Sequence, residues 1–115
     1  MRPTRFAWRL AVTALIAAAS ASHAQTSSND VARGRQLFSL GAPPLPACAL
    51  CHKLQDAKAT GAVGPDLDDL MPDAARVETA LRNGMGPMPS FAALGDEQIR
   101  LLARYVAQAA GARKP

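Results

Sequence analysis

The 115 residues predict an all-α domain of about four helices joined by long loops. Three observations carry this. Apolar residues recur at helical spacing in segments bounded by capping residues and by Gly or Pro. No segment alternates apolar and polar residues for long enough to make a strand. The connections between helical segments are rich in Gly and Pro and too long for a simple up-and-down bundle.

The chain opens on a stretch that reads as an address. Arg2, Arg5 and Arg9 make a positive start, Leu10 to Ala19 is an apolar, Ala-rich run, and Ser22-His23-Ala24 has the small-residue pattern of a cleavage site. Residues 1–24 therefore read as a signal peptide that is removed, and 25–115 as the mature domain, exported to the periplasm. The apolar run has about ten residues, well short of the roughly 20 a spanning helix needs, so no transmembrane anchor is expected.

Residues 25–29 are polar and expected to be loose. A helix is expected from Asn29 or Asp30, with Asp30 as its cap, to about Ser39, with Val31, Gly34, Leu37 and Phe38 on one face. Gly34 inside a helix costs about 1 kcal/mol relative to Ala, a cost that is tolerated where another helix crosses closely. Gly41-Ala42-Pro43-Pro44-Leu45-Pro46 breaks this helix, and a short helical turn is expected over 47–54. Residues 55–70, with Gly61, Gly64 and Pro65, read as loop. Pro72 and Asp73 open a second long helix to about Arg82, with Val77, Ala80 and Leu81 on its apolar face and Asn83-Gly84 at its end. Residues 84–94 again read as loop. Gly95, followed by Asp96, Glu97 and Gln98, starts the last helix, which carries Ile99, Leu101, Leu102, Tyr105 and Val106 to about Ala109, with Gly111 just past its end.

Charge excludes one class of partner. The formal +4 of the whole chain rests on 13 basic and nine acidic residues, and three of the basic ones lie in the candidate leader. The mature balance is ten against nine, with no basic patch interleaved with aromatics, so no nucleic-acid partner is expected. A mature domain this short closes a core with difficulty, and its only aromatics are Phe38, Phe91 and Tyr105. Such domains usually need a staple.

The staple is legible in Cys48-Ala49-Leu50-Cys51-His52, the C-x-x-C-H pattern of covalent haem attachment. Two thiols at this spacing can add to the two haem vinyl groups, and the next residue is a histidine that can ligate iron. A thioredoxin-like C-x-x-C wants a βαβ context, which is absent. A structural zinc site wants four ligands, where the mature chain has two cysteines and one histidine. A Cys48–Cys51 disulfide would leave His52 without a role. One haem c per chain, with its two ionised propionates, would bring the formal charge to about −1 before the iron is counted.

His52 is the only mature histidine, because His23 lies in the leader. A second histidine ligand from the same chain is therefore excluded, and a methionine thioether is the natural sixth ligand. Of Met71, Met85 and Met88, the last lies between Pro87 and Pro89 in a loop the prolines stiffen. Met88 is the candidate. Met85, between two glycines, reads as exposed or as packing at the haem edge. Met71 reads as packing at a helix start.

Taken together, the mature chain resembles the bacterial class I cytochromes c over nearly all of residues 30–110. The Gly-x-x-x-aromatic pair of that family is Gly34 and Phe38, and the resemblance implies that they meet Leu101 and Tyr105 where the first and last helices cross. The G-P-x-L segment is Gly64-Pro65-Asp66-Leu67, which implies that the Pro65 carbonyl accepts a hydrogen bond from the ligand histidine. The N-G-x-G-x-M-P-x-F segment is Asn83 to Phe91, which implies ligation by Met88. Nine residues separate Phe38 from Cys48, three of them proline. This link is longer than in mitochondrial-type carriers and is similar to that of bacterial cytochromes resembling domains of dehydrogenase complexes. The resemblance implies a one-electron carrier cycling Fe(III)/Fe(II), and not an enzyme as an isolated chain. It would act as a diffusible shuttle or as the electron-accepting subunit of an extracytoplasmic dehydrogenase, with redox proteins as donor and acceptor. The alternative is a haem enzyme or gas sensor whose distal ligand is labile.

Overall fold

The computed structural model describes the backbone over residues 19–111 and side chains from Ser28 onward; most of the candidate leader lies outside the described residues. Four α-helices account for most of this span: α1 (Ala19–Leu40), α2 (Leu67–Leu70), α3 (Ala74–Asn83) and α4 (Asp96–Gly111). Short 3-10 turns at Cys48–Leu50, Gln55–Ala57 and Ala92–Leu94 and a two-stranded hairpin, β1 (Lys53–Leu54) with β2 (Ala59–Thr60), fill the connections. The expected all-α fold, with first and last helices crossing, is what the chain adopts.

The crossing is set by a missing side chain. Gly34 is buried on α1 against Tyr105 of α4. A Cβ at position 34 would run into the Tyr105 Cβ and stand 3.0 Å from its Cγ and 3.4 Å from the Leu101 carbonyl oxygen. One turn on, Phe38 meets the Tyr105 ring edge-on, with centroids 6.1 Å apart and planes at 65°. Both rings are almost wholly buried. Ile99, Leu102, Val106 and Ala110 continue the apolar face of α4, and Leu81 of α3 and Leu67 of α2 close on it.

A polar tie runs beside this crossing. The Tyr105 hydroxyl donates to Asp56 Oδ2 at 2.6 Å, and Arg35 clasps the same carboxylate with Nε at 3.0 Å and Nη2 at 3.1 Å. One carboxylate thus joins α1, α4 and the 3-10 turn after β1. The Arg35 guanidinium, helped by the Tyr105 hydroxyl, holds the Asp56 carboxyl below its usual range. Burial and the neighbouring carboxylate push the Tyr105 phenol up.

Several expectations are corrected. Helix α1 begins well before Asn29, because Gln25 to Ser28 contain no breaker and follow an Ala-rich run of high helix propensity. Asp30 is then no cap; it pairs with Arg33 at 3.8 Å and Arg104 at 3.7 Å. Residues 55–70 are not plain loop. They hold a 3-10 turn, β2 of the hairpin and α2, which Asp66 caps by accepting from Asp68 N at 2.9 Å; the helical turn expected over 47–54 is confined to Cys48–Leu50, and Lys53–Leu54 form β1, too short to show alternation. Met71 ends α2 in the left-handed conformation (φ 46°) and is half exposed, so it neither starts a helix nor packs in the core. Helix α4 includes Gly111.

The lowered Asp56 carboxyl has a consequence for pH. Its folded value lies below its unfolded one, so the tie's stabilisation is fully present above the unfolded value and is lost as pH falls through the folded one. The difference in melting temperature between wild type and Asp56→Asn should be largest near neutrality and shrink below about pH 4, as followed by thermal denaturation. A pH-independent difference would disprove the assignment.

Candidate functional site

The Cys48–Leu50 turn presents the two cysteines and the histidine together. Cys51 N and His52 N both donate to Cys48 O, at 3.1 and 2.9 Å. The cysteines are free of one another, so the thiols are not consumed in a disulfide. Burial pushes the Cys48 thiol up to about 11, so it is protonated at neutral pH.

The His52 ring is held on two sides. Its Nδ1 lies 2.8 Å from the Pro65 carbonyl oxygen. A carbonyl only accepts, so Nδ1 carries the proton and the Nε2 lone pair is left for a metal. Gly64 lies against the ring: a Cβ there would stand 2.5 Å from Cε1 and 2.8 Å from Nδ1. Gly64 N in turn donates to Cys51 O at 2.7 Å. Gly61 performs the same service for the backbone, since its Cβ would stand 2.6 Å from Cys51 C and 2.7 Å from His52 N.

The loop after α3 is ordered by its own bonds. Met85 and Met88 pair backbone to backbone, Met85 N to Met88 O at 3.0 Å and Met88 N to Met85 O at 2.9 Å. Ser90 Oγ donates to Arg82 O at 2.6 Å, and Phe91 N to Leu81 O at 2.6 Å. Gly84 has φ 70°, and a Cβ would stand 2.8 Å from Met88 O, so glycine is required there twice over. The Met85 backbone is therefore as firmly placed as that of Met88, contrary to the looseness its glycine neighbours suggest. The side chains differ: Met88 packs on the core, and Met85 is 63% exposed.

These pieces meet in one hollow of about 290 Å3. Cys48, Cys51, His52, Pro65 and Met88 all line it, as does Met85, and Met71 does not. Most of the rest of the wall is hydrocarbon, much of it from the core, including Phe38, Leu67, Leu81, Phe91, Leu102 and Val106, with Arg76 at the exposed rim. Left without an occupant, this apolar wall would face water and forfeit the burial of its hydrocarbon. The wall thus suits a large, mostly apolar group that brings its own metal: two thiols to bond, an imidazole nitrogen and a thioether to ligate. A bare ion is less well served, because no group of three or more His, Cys, Asp or Glu side chains fit to hold one occurs among the described residues.

Sequence reasoning missed Gly61, whose role depends on a fold-back, although a glycine three residues before Gly-Pro was visible. It also missed the Arg35–Asp56–Tyr105 tie, which no local spacing announces.

Comparison with known proteins places the chain in a family. Residues 29–106 match the family described as cytochrome C oxidase, cbb3-type, subunit III. The chain is 34% identical over 90 residues to a cytochrome c6 of Cyanidioschyzon merolae (strain NIES-3377 / 10D), a match covering 71% of this chain and 77% of that protein. The crystal structure of the c-type cytochrome SorU from Sinorhizobium meliloti is similar with a TM-score of 0.67 and 51% identity, over 73% of this chain and 94% of that one.

The two glycines behind the motif should respond differently to substitution. Gly61→Ala drives a methyl into backbone that cannot turn aside, and should cost about 1–3 kcal/mol in chemical denaturation. Gly64→Ala meets the far end of a side chain, so it should cost less but turn the His52 ring away from Pro65. Loss of a slowly exchanging imidazole Nδ1 proton in the NMR spectrum would report this. Equal destabilisation by both, with that proton retained in Gly64→Ala, would contradict the account.

Proposed function

The chain belongs to the class I cytochrome c family, and from that premise we propose that it carries single electrons outside the cytoplasm on one haem c bonded to Cys48 and Cys51. Electron transport with haem iron is the property of the family. The observation that carries it is the convergence, in one apolar hollow, of both thiols, of an imidazole whose Nδ1 proton is already given to Pro65, and of the Met88 thioether.

When bound, haem supplies a one-electron Fe(III)/Fe(II) couple. The chain's residues set the terms on which it works. Cys48 and Cys51 hold the group to a turn whose backbone bonds fix their spacing. His52 is a proximal ligand held in one tautomer and one plane by Pro65 and Gly64. Met88 is the distal ligand, kept in place by the backbone pairing with Met85 and by the Ser90 bond to Arg82. A thioether in this position favours the reduced iron relative to a second imidazole, and an apolar wall that excludes water acts in the same direction. If His52 and Met88 both held the iron, no open position would be left for a substrate, and this supports a carrier over a haem enzyme or gas sensor.

Residues 1–24 act as a removable export signal, which places the mature domain in the periplasm. No helix among the described residues is long and apolar enough to cross a membrane. Donor and acceptor are redox proteins, met either in free encounters or as the dehydrogenase to which this chain is a cytochrome subunit. Co-purification from the native periplasm separates the two.

Intact-mass measurement of exported protein should give residues 25–115 plus one haem, with the colour remaining on the polypeptide after acid–organic extraction. Retention of residues 1–24, or colour that extracts fully, would refute the export reading and the covalent attachment respectively.

Met88→Ala should lose the sulfur-to-iron charge-transfer band of the oxidised protein and show a lower reduction potential, and Met85→Ala should keep the band. The reverse pattern would move the distal ligand to Met85.

A further inference from the structure

The chain just after Cys51 is tied to the chain just after Gly64 in a repeating register. His52 Nδ1 lies 2.8 Å from the Pro65 carbonyl oxygen. Lys53 Nζ lies 3.0 Å from Asp66 Oδ2. Gln55 N donates to Asp68 Oδ2 at 2.8 Å. Each pair of partners is 13 residues apart, so segments 52–55 and 65–68 run side by side in the same sense. Leu54 and Leu67 hold the remaining place in that register, and both are buried in the core.

These ties are unequal. Water reaches Lys53 and Asp66, and a surface ion pair contributes little by itself. Asp68 is only 8% exposed, the one charged side chain buried among the described residues. A carboxylate taken out of water is costly unless hydrogen bonds hold it, and this one accepts from a backbone N–H three residues beyond His52. The Asp68 N–H in turn donates to Asp66 Oδ1 at 2.9 Å, so its backbone is fixed as well as its side chain. On the other side of Pro65, Gly64 N donates to Cys51 O at 2.7 Å. Pro65 has no N–H with which to anchor itself; its carbonyl is held in place by these neighbours. A carbonyl kept close to Nδ1–H makes the imidazole more basic, and a more basic ligand favours the oxidised metal. Resting on the reading that His52 ligates haem iron in this hollow, we propose that Asp68, assisted by the Lys53–Asp66 pair, is a positioning residue that keeps the Pro65 carbonyl against His52 Nδ1 and so lowers the reduction potential of the couple.

The test compares Asp68→Asn, which keeps an acceptor oxygen and loses the charge, with Asp68→Ala and Asp68→Leu, which lose both; leucine keeps nearly the shape of aspartate. Two quantities are read on the haem-loaded proteins: the His52 Nδ1 proton in the NMR spectrum of the reduced form, and the reduction potential. Asp68→Asn should keep the wild-type Nδ1 signal. In Asp68→Ala and Asp68→Leu that proton should move upfield and exchange on the order of tenfold faster, as expected when a hydrogen bond is loosened. Their potentials should lie above that of Asp68→Asn, a difference from which the lost charge cancels. Asp66→Ser retains a capping oxygen but not the ion pair, and should move the Nδ1 proton in the same sense by less. Asp30→Asn removes an equal charge between α1 and α4, and should leave the Nδ1 proton unmoved. Asp68→Ala and Asp68→Leu proteins whose Nδ1 signal and potential match those of Asp68→Asn overturn the positioning role while leaving the haem reading intact. Wild-type protein that carries no covalent haem overturns both.

Discussion

The His52 ring is the fixed point on which the site depends, and it is fixed by its neighbours' lack of bulk as much as by a bond. Pro65 gives the ring an acceptor and thereby a tautomer. Gly64 lets the chain lie against the ring face, and Gly61 lets the same strand of backbone lie against the turn that carries the cysteines. Remove either close approach and the segment from Gly61 to Pro65 must move outward. The acceptor, the capped start of α2 and the wall residue Leu67 would move with it. The motif and the Gly-Pro segment are thus one device, although a dozen residues separate them.

A small domain with three described aromatic rings in its core cannot fill its own middle. Phe38, Phe91 and Tyr105 are buried, yet the helices stand around a hollow instead of meeting in it. A group bound there would therefore be structural as well as functional. Helices α1 and α4 interlock on one side through Gly34 and Tyr105. On the other, α3 and its loop reach the hollow through Leu81, Phe91 and Met88. That division explains why so much of the chain is irregular: the long connections, with the helices, make the wall of the hollow.

How much of this was legible depended on range in sequence. The attachment motif, the Gly-Pro segment and the methionine loop are local strings, and each maps onto the wall of one hollow. The helices α3 and α4 were readable because capping residues and apolar spacing agree there. The start of α1 lies earlier than its polar residues suggest, because nothing there breaks a helix. The hairpin escaped because two residues per strand carry no periodicity. The tie of Asp56 to Tyr105 spans 49 residues, and pairings at that range have no local signal.

That tie also bears on which packings the chain can reject. Closing a span of 49 residues costs on the order of 3.5 kcal/mol in chain entropy by the (3/2)RT ln n estimate, more than a hydrogen bond to a charged group returns. The bond does not draw α4 into place; burial of apolar surface does, and apolar surface is a poor judge of register. A slide of α4 by one turn, about 5.4 Å, would still bury a good hydrocarbon face. It would bring Leu101 or Ala109 to the position of Tyr105, and neither has a hydroxyl for Asp56 or a ring for the notch at Gly34. The one phenol on the last helix therefore works as a proofreading mark, making the slipped alignments costlier than the true one.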